Sequence, residues 1–79
     1  MTATIGDRLR LKQQLPYLKT ADPMPMLRPS DLVSLDEVGE VVAIHPLDTV
    51  AVRFRRGTFL ISLDQLNAAS QDDADEVMD

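Results

Sequence analysis

The clearest pattern along the chain is a period of two. In residues 7–12, DRLRLK, Leu9 and Leu11 point one way and Arg8, Arg10 and Lys12 the other, as in a half-buried strand. Gly6 lets the backbone turn sharply into it. Residues 39–45, GEVVAIH, are short and rich in β-branched side chains, and they lie between an acidic turn (Asp36, Glu37) and Pro46, which predicts a second strand. Pro46 and Asp48 bracket a tight connection into residues 50–54, VAVRF, where Val50, Val52 and Phe54 share a face opposite Ala51 and Arg53. Arg55, Arg56 and Gly57 supply a turn. Residues 58–62 then form a fourth strand with Phe59 and Ile61 inward, so the third and fourth strands make a hairpin. Ser62 with Gln65 three positions later fits a capping box, and one short 3-10 or α-helical turn is expected to carry Leu63 and Leu66 onto the core. Residues 67–69 close the chain as an edge strand. The expected fold is all-β: a small SH3-like barrel of about five antiparallel strands, with one short 3-10 turn and a long loop after the first strand. An OB-type barrel needs longer strands and a helix between its third and fourth strands.

The long loop is the least ordinary stretch. It runs for about 25 residues, far beyond the usual connection length, and residues 16–29, PYLKTADPMPMLRP, hold four of the five prolines. Pro16, Pro23, Pro25 and Pro29 fix φ and remove donors, which predicts a stiff, extended strip. Tyr17, Leu18, Met24, Met26 and Leu27 make it apolar, and Lys19 and Arg28 flank it with positive charge. Such a strip loses little entropy on binding, and methionine adapts to irregular surfaces. Its bland reading is a lid of methionines over the open end of the barrel. Its functional reading is a partner-binding set made of Lys19, Asp22, Met24, Met26, Leu27 and Arg28.

Composition narrows the function classes. A chain of 79 residues makes one domain and leaves no room for a second, catalytic one. There is no cysteine, and there are only one histidine, one tyrosine and three glycines. That inventory offers no disulfide framework, thiolate cage, nucleophilic triad or glycine cradle for a nucleotide. A non-enzymatic protein of a reducing cytoplasm is expected, with no cofactor and no metal. The longest apolar runs are a few residues, so no membrane span is expected. The net charge of −5 is concentrated at one end, because residues 71–79, QDDADEVMD, carry five acids and no base. The expected organisation is a barrel domain over residues 1–70 and a disordered acidic tail over 71–79.

His45 stands at a strand end without a second histidine, so a solvated or locally bonded side chain is expected ahead of a metal or catalytic role. Arg53, Arg55 and Arg56 could form a phosphate-binding hairpin tip of the kind some small barrels use for RNA. The neutral body, the acidic tail and the scarcity of aromatics argue against a nucleic-acid partner, and these arginines are a secondary candidate contact set.

The strip Lys19-Thr20-Ala21-Asp22-Pro23-Met24-Pro25-Met26-Leu27-Arg28-Pro29, followed by Asp31-Leu32, Gly39-x-Val41, Val50-Ala51-Val52-Arg53-Phe54 and Gly57-x-Phe59-Leu60, resembles the SipA family of small cyanobacterial regulators. The resemblance spans most of residues 5–66. It implies an SH3-like monomer without catalysis that binds the ATP-binding catalytic domain of the sensor histidine kinase NblS and stimulates its autokinase activity, in two-component stress and photosynthesis signalling. The alternative is a small SH3-like accessory subunit packed against a photosynthetic redox complex. A regulator should be a well-behaved monomer, whereas an accessory subunit should expose a large apolar patch. Modest hydrophobicity and the neutral body favour the regulator.

Overall fold

The computed structural model describes residues 3–69. The acidic tail expected over residues 71–79 lies outside them. Seven strands follow in the order β1 (Arg8–Leu11), β2 (Leu18–Thr20), β3 (Leu27–Arg28), β4 (Gly39–His45), β5 (Thr49–Phe54), β6 (Gly57–Ser62) and β7 (Leu66–Ala68). Two 3-10 turns, Ser30–Leu32 and Leu63–Gln65, interrupt them. All pairings are antiparallel and the sheet order is β3-β2-β6-β5-β4-β1-β7. This is the expected all-β SH3-like barrel. The five expected strands are β1, β4, β5, β6 and β7, and β2 and β3 are two more, folded out of the long connection.

The β5–β6 hairpin forms because every local signal agrees. Val50, Val52 and Phe54 alternate inward and pair with Ile61, Phe59 and Gly57, and Gly57 takes the positive φ that the turn after Arg56 requires. Ala51 points the other way yet is also buried. Its strand is central, and its single methyl is covered between its cross-strand partners Ala43 and Leu60. In β4 the register shifts between Val41 and Ala43. The extra residue, Val42, interrupts the alternation, and Val41 goes to the core while Val42 and Ile44 stay exposed.

Ser62 caps the second 3-10 turn by accepting from the Asp64 amide. That turn places Leu63 and Leu66 in the core, where they join Leu9, Leu11, Val41, Val50, Val52, Phe54, Phe59 and Ile61. Two more core residues, Leu18 and Val33, come from the long connection. Leu18 is therefore a packing residue and not part of the exposed strip.

The β4–β5 hairpin turns through Pro46, Leu47 and Asp48, and both Leu47 (φ 61°) and Asp48 (φ 55°) adopt the left-handed conformation. For an L-residue other than asparagine or aspartate this costs about 1–2 kcal/mol, so the strain falls on Leu47. Leu47 is 93% exposed and recovers nothing by burial. Leu47→Asn should therefore stabilise the fold by about 0.5–1 kcal/mol, because asparagine tolerates this conformation. A thermal midpoint raised by about 2–8 °C is the expected readout; a lowered midpoint would show that the leucine contributes something the turn needs.

Candidate partner-docking surface at the proline hairpin

Residues 12–33 are held to the barrel along their length. The Lys12 amide donates to the Gln65 carbonyl at 2.8 Å, and Gln14 Nε2 donates to Ser30 Oγ at 2.9 Å, tying the two ends of the segment together. Between them β2 pairs with β6 and β3 pairs back onto β2. Thr20 closes the neck of this second hairpin twice: its amide donates to the Met26 carbonyl at 2.9 Å, and its Oγ1 accepts from the Met26 amide at 2.8 Å. The Ala21 amide donates to Thr58 at 3.0 Å. A threonine at that position satisfies a donor and an acceptor that the flanking prolines cannot, and the tip is positioned by bonds at its neck.

The methionines do not cover the barrel. Met24 is 83% exposed at the tip, and Met26 and Leu27 are more than half exposed. Pairing places Lys19 and Leu27 opposite each other on one face, in line with Leu60 of β6. The other face carries Leu18, Thr20 and Arg28, in line with Phe59. On that side lies a cleft of about 290 Å³ lined by Thr20, Asp22, Arg28, Leu32, Arg56 and Phe59, among others. Asp22 and Arg28 of the strip therefore stand together with Arg56, which the sequence had assigned to a separate, secondary set. Of the other two arginines of that set, only Arg53 has its guanidinium paired among the described residues, while Arg55 is held through its backbone. Arg53 Nη2 sits 2.9 Å from Glu40 Oε1 in an exposed ion pair, and the Arg55 amide donates to Glu37 Oε2 at 2.7 Å. Among the described residues neither Arg28 nor Arg56 makes an ion pair.

A second groove, of about 330 Å³, lies at the base of the hairpin between Leu15, Pro16, Tyr17, Lys19, Leu60 and Gln65. Tyr17, half exposed on its wall, belongs to the apolar strip but not to the partner-binding set expected from the sequence. Its position directly after Pro16 in a long loop was the available signal. His45 ends β4 on the surface opposite Thr49. Among the described residues no three His, Cys, Asp or Glu side chains stand close enough to hold a metal, and no helix is long and apolar enough to cross a membrane.

A profile of the family described as Protein CHLORORESPIRATORY REDUCTION 42-like, CRR42-like, matches residues 5–66, the stretch from the entry into β1 to the start of β7. The chain belongs to the CRR42-like family. It is 35% identical over 72 residues to Protein CHLORORESPIRATORY REDUCTION 42, chloroplastic, of Arabidopsis thaliana, an alignment that covers 90% of this chain and 60% of that protein. The chain thus spans about three fifths of the length of that relative. No solved structure matches it.

These matches correct the resemblance to the SipA family. The strings that carried it, from residues 19–29 to residues 57–60, all fall inside residues 5–66, and it is the CRR42-like profile that matches there. The sensor histidine kinase as partner and the role in two-component signalling rested on that resemblance alone, and they fall with it. The structure removes the remaining reason to prefer a regulator. That preference rested on modest hydrophobicity and a neutral body, whereas Met24, Met26 and Leu27 are exposed on one hairpin.

Proposed function

We propose that this protein is a small, non-catalytic accessory protein that packs against a redox complex of photosynthetic or chlororespiratory electron transport, with the proline hairpin as its docking element. The observation that carries the reading is the exposure of Met24, Met26 and Leu27 on a hairpin whose neck is held by Thr20. Three neighbouring large apolar side chains kept in water at fixed positions lose little ordering entropy when a partner covers them. The choice of partner class draws support from the relative, whose name attaches it to chlororespiratory reduction and to the chloroplast. The reducing compartment expected from the absence of cysteine is part of the proposal, as the aqueous side of a photosynthetic membrane.

The test is carried out in the organism that makes the protein. A tagged, full-length chain should migrate on native gels with an electron-transport complex, and deleting its gene should reduce electron flow into the photosynthetic chain in darkness. A chain that runs alone under all conditions, with that flow unaffected by the deletion, would reject the role. Met24→Ser combined with Met26→Ser should keep the folding stability within about 0.5 kcal/mol of the parent, since both side chains are exposed, while abolishing co-migration. Undiminished co-migration would move the docking element away from the hairpin tip.

A further inference from the structure

We propose that the cleft between the proline hairpin and the β5–β6 turn is a carboxylate-binding site, which receives an acidic side chain from an extended, partly apolar segment of the partner polypeptide. This deepens the accessory reading above and rests on it for the identity of the partner as a protein. The cleft is lined by two arginines, Arg28 and Arg56, and among the described residues neither has an ion-pair partner. Carboxylates are not scarce nearby. Glu40 is taken by Arg53 and Glu37 by the Arg55 amide, and Asp22 lines the same cleft without coming within ion-pair distance of either arginine. Among the described residues the cleft therefore keeps an excess of positive charge, two arginines against Asp22, whereas Arg53 on the same hairpin is ion-paired.

The lining fits a carboxylate on a polypeptide better than a free anion or a nucleic acid. Two planar, forked donors suit the two oxygens of one carboxylate. Thr20 Oγ1 already accepts from the Met26 amide, so its own proton is left to donate. Leu32 and Phe59 form apolar wall, which lowers the local dielectric and strengthens a charge-assisted bond. Asp22 at the rim repels a second carboxylate and favours one acid over a polyanion such as RNA. Beside Thr20, to which its amide is bonded, Met26 is more than half exposed and offers an apolar side chain that an inorganic ion could not use. A segment in which an acidic residue is flanked by large apolar ones is complementary to both halves of this surface.

The probe is a synthetic peptide with one glutamate flanked by phenylalanine and leucine, compared with its twin in which glutamine replaces the glutamate. Each is titrated against the full-length, isotope-labelled chain. The glutamate peptide should move the amide signals of Thr20, Gly57 and Thr58 and the guanidinium signals of Arg28 and Arg56. Its glutamine twin should bind about tenfold more weakly or worse. Arg28→Gln and Arg56→Gln should each weaken the glutamate peptide about tenfold without moving the thermal midpoint, and leave the glutamine twin as it was. Equal binding of the two peptides would overturn the site. So would signals that move instead around Arg53 and Arg55, or inorganic phosphate or a short RNA acting at lower concentration than the glutamate peptide. A peptide of residues 71–79 binding more tightly than the probe would assign the cleft to the chain itself or to a second copy, and overturn the partner. The two readings separate cleanly. Co-migration with the redox complex that persists in the double Arg28→Gln, Arg56→Gln variant overturns the cleft and leaves the accessory role standing. Peptide binding as expected in a chain that never co-migrates supports the cleft and removes the role.

Discussion

Phe54→Ala is expected to leave the chain without a cooperative thermal transition. Phe54 ends β5 with only 5% of its surface exposed, and its ring lies 6.5 Å from that of Phe59, tilted by 35°, in the one aromatic pair among the described residues. The same ring covers Gly39 at the start of β4, so its removal opens a hole between three strands at once. A phenylalanine-to-alanine change in a core costs about 3–5 kcal/mol, the transfer of the ring plus the cavity left behind. A domain of this size holds roughly 3–5 kcal/mol in total. The two quantities are equal, and the variant should therefore sit at or below the midpoint of unfolding at room temperature. Circular dichroism against temperature or denaturant is the measurement. A sharp melt near that of the parent would mean that Phe54 is not the packing residue described above.

Gly39→Ala should destabilise by about 1–3 kcal/mol, more than an exposed substitution could. The reason is a close approach and not a backbone conformation. A Cβ on Gly39 would lie 2.5 Å from Val52 Cγ1 and 2.7 Å from Phe54 Cε1, inside any ordinary contact distance. Val52 is fully buried and Phe54 nearly so, and neither can move aside without disturbing β5. The prediction has a second arm. Phe54→Leu by itself costs stability by loosening the core, but combined with Gly39→Ala it relieves part of the clash. The double variant should lose less than the sum of the two single losses, by about 0.5 kcal/mol or more. Strict additivity in a chemical-denaturation cycle would show that the alanine is accommodated by backbone movement and that the ring is not what confines Gly39.

The parts legible in the sequence share one property, which is that their determinants lie within a few residues of each other. Gly39–His45 could be bounded on both sides because the acidic turn and Pro46 are its immediate neighbours. The β5–β6 hairpin was legible because alternation on each side and a glycine between them specify pairing without reference to anything distant. The capped turn that carries Leu63 and Leu66 inward depends on four consecutive residues. The candidate site was legible in part for the same reason. Prolines, methionines and flanking cations in one strip mark it as unusual and exposed, but they do not say what the strip is folded against. The string that makes the strip unusual also suggested a wrong family, because a short surface motif says little about a partner.

By itself, then, the sequence determined an all-β barrel, the inward face of its central hairpin and the unusual character of residues 16–29, all through short-range pattern and turn chemistry. Tertiary structure decided the rest. A stiff, extended strip was the local expectation, yet Leu18–Thr20 is drawn into the sheet because β6 offers it a free edge about 40 positions further along the chain, and no local pattern specifies that edge. The same pairing puts Leu18 in the core, turns Leu27–Arg28 back as a further strand, and leaves Met24 and Met26 exposed instead of capping the barrel. It also brings Arg28 beside Arg56, residues far apart in sequence that only the docking of one hairpin against another can place around a single cleft. Gly39 belongs with them, since its need for a missing Cβ exists only once Val52 and Phe54 have packed over it. Contacts of this kind follow from how preformed pieces fit together, and that fit is a property of the folded whole, not of any window along the chain.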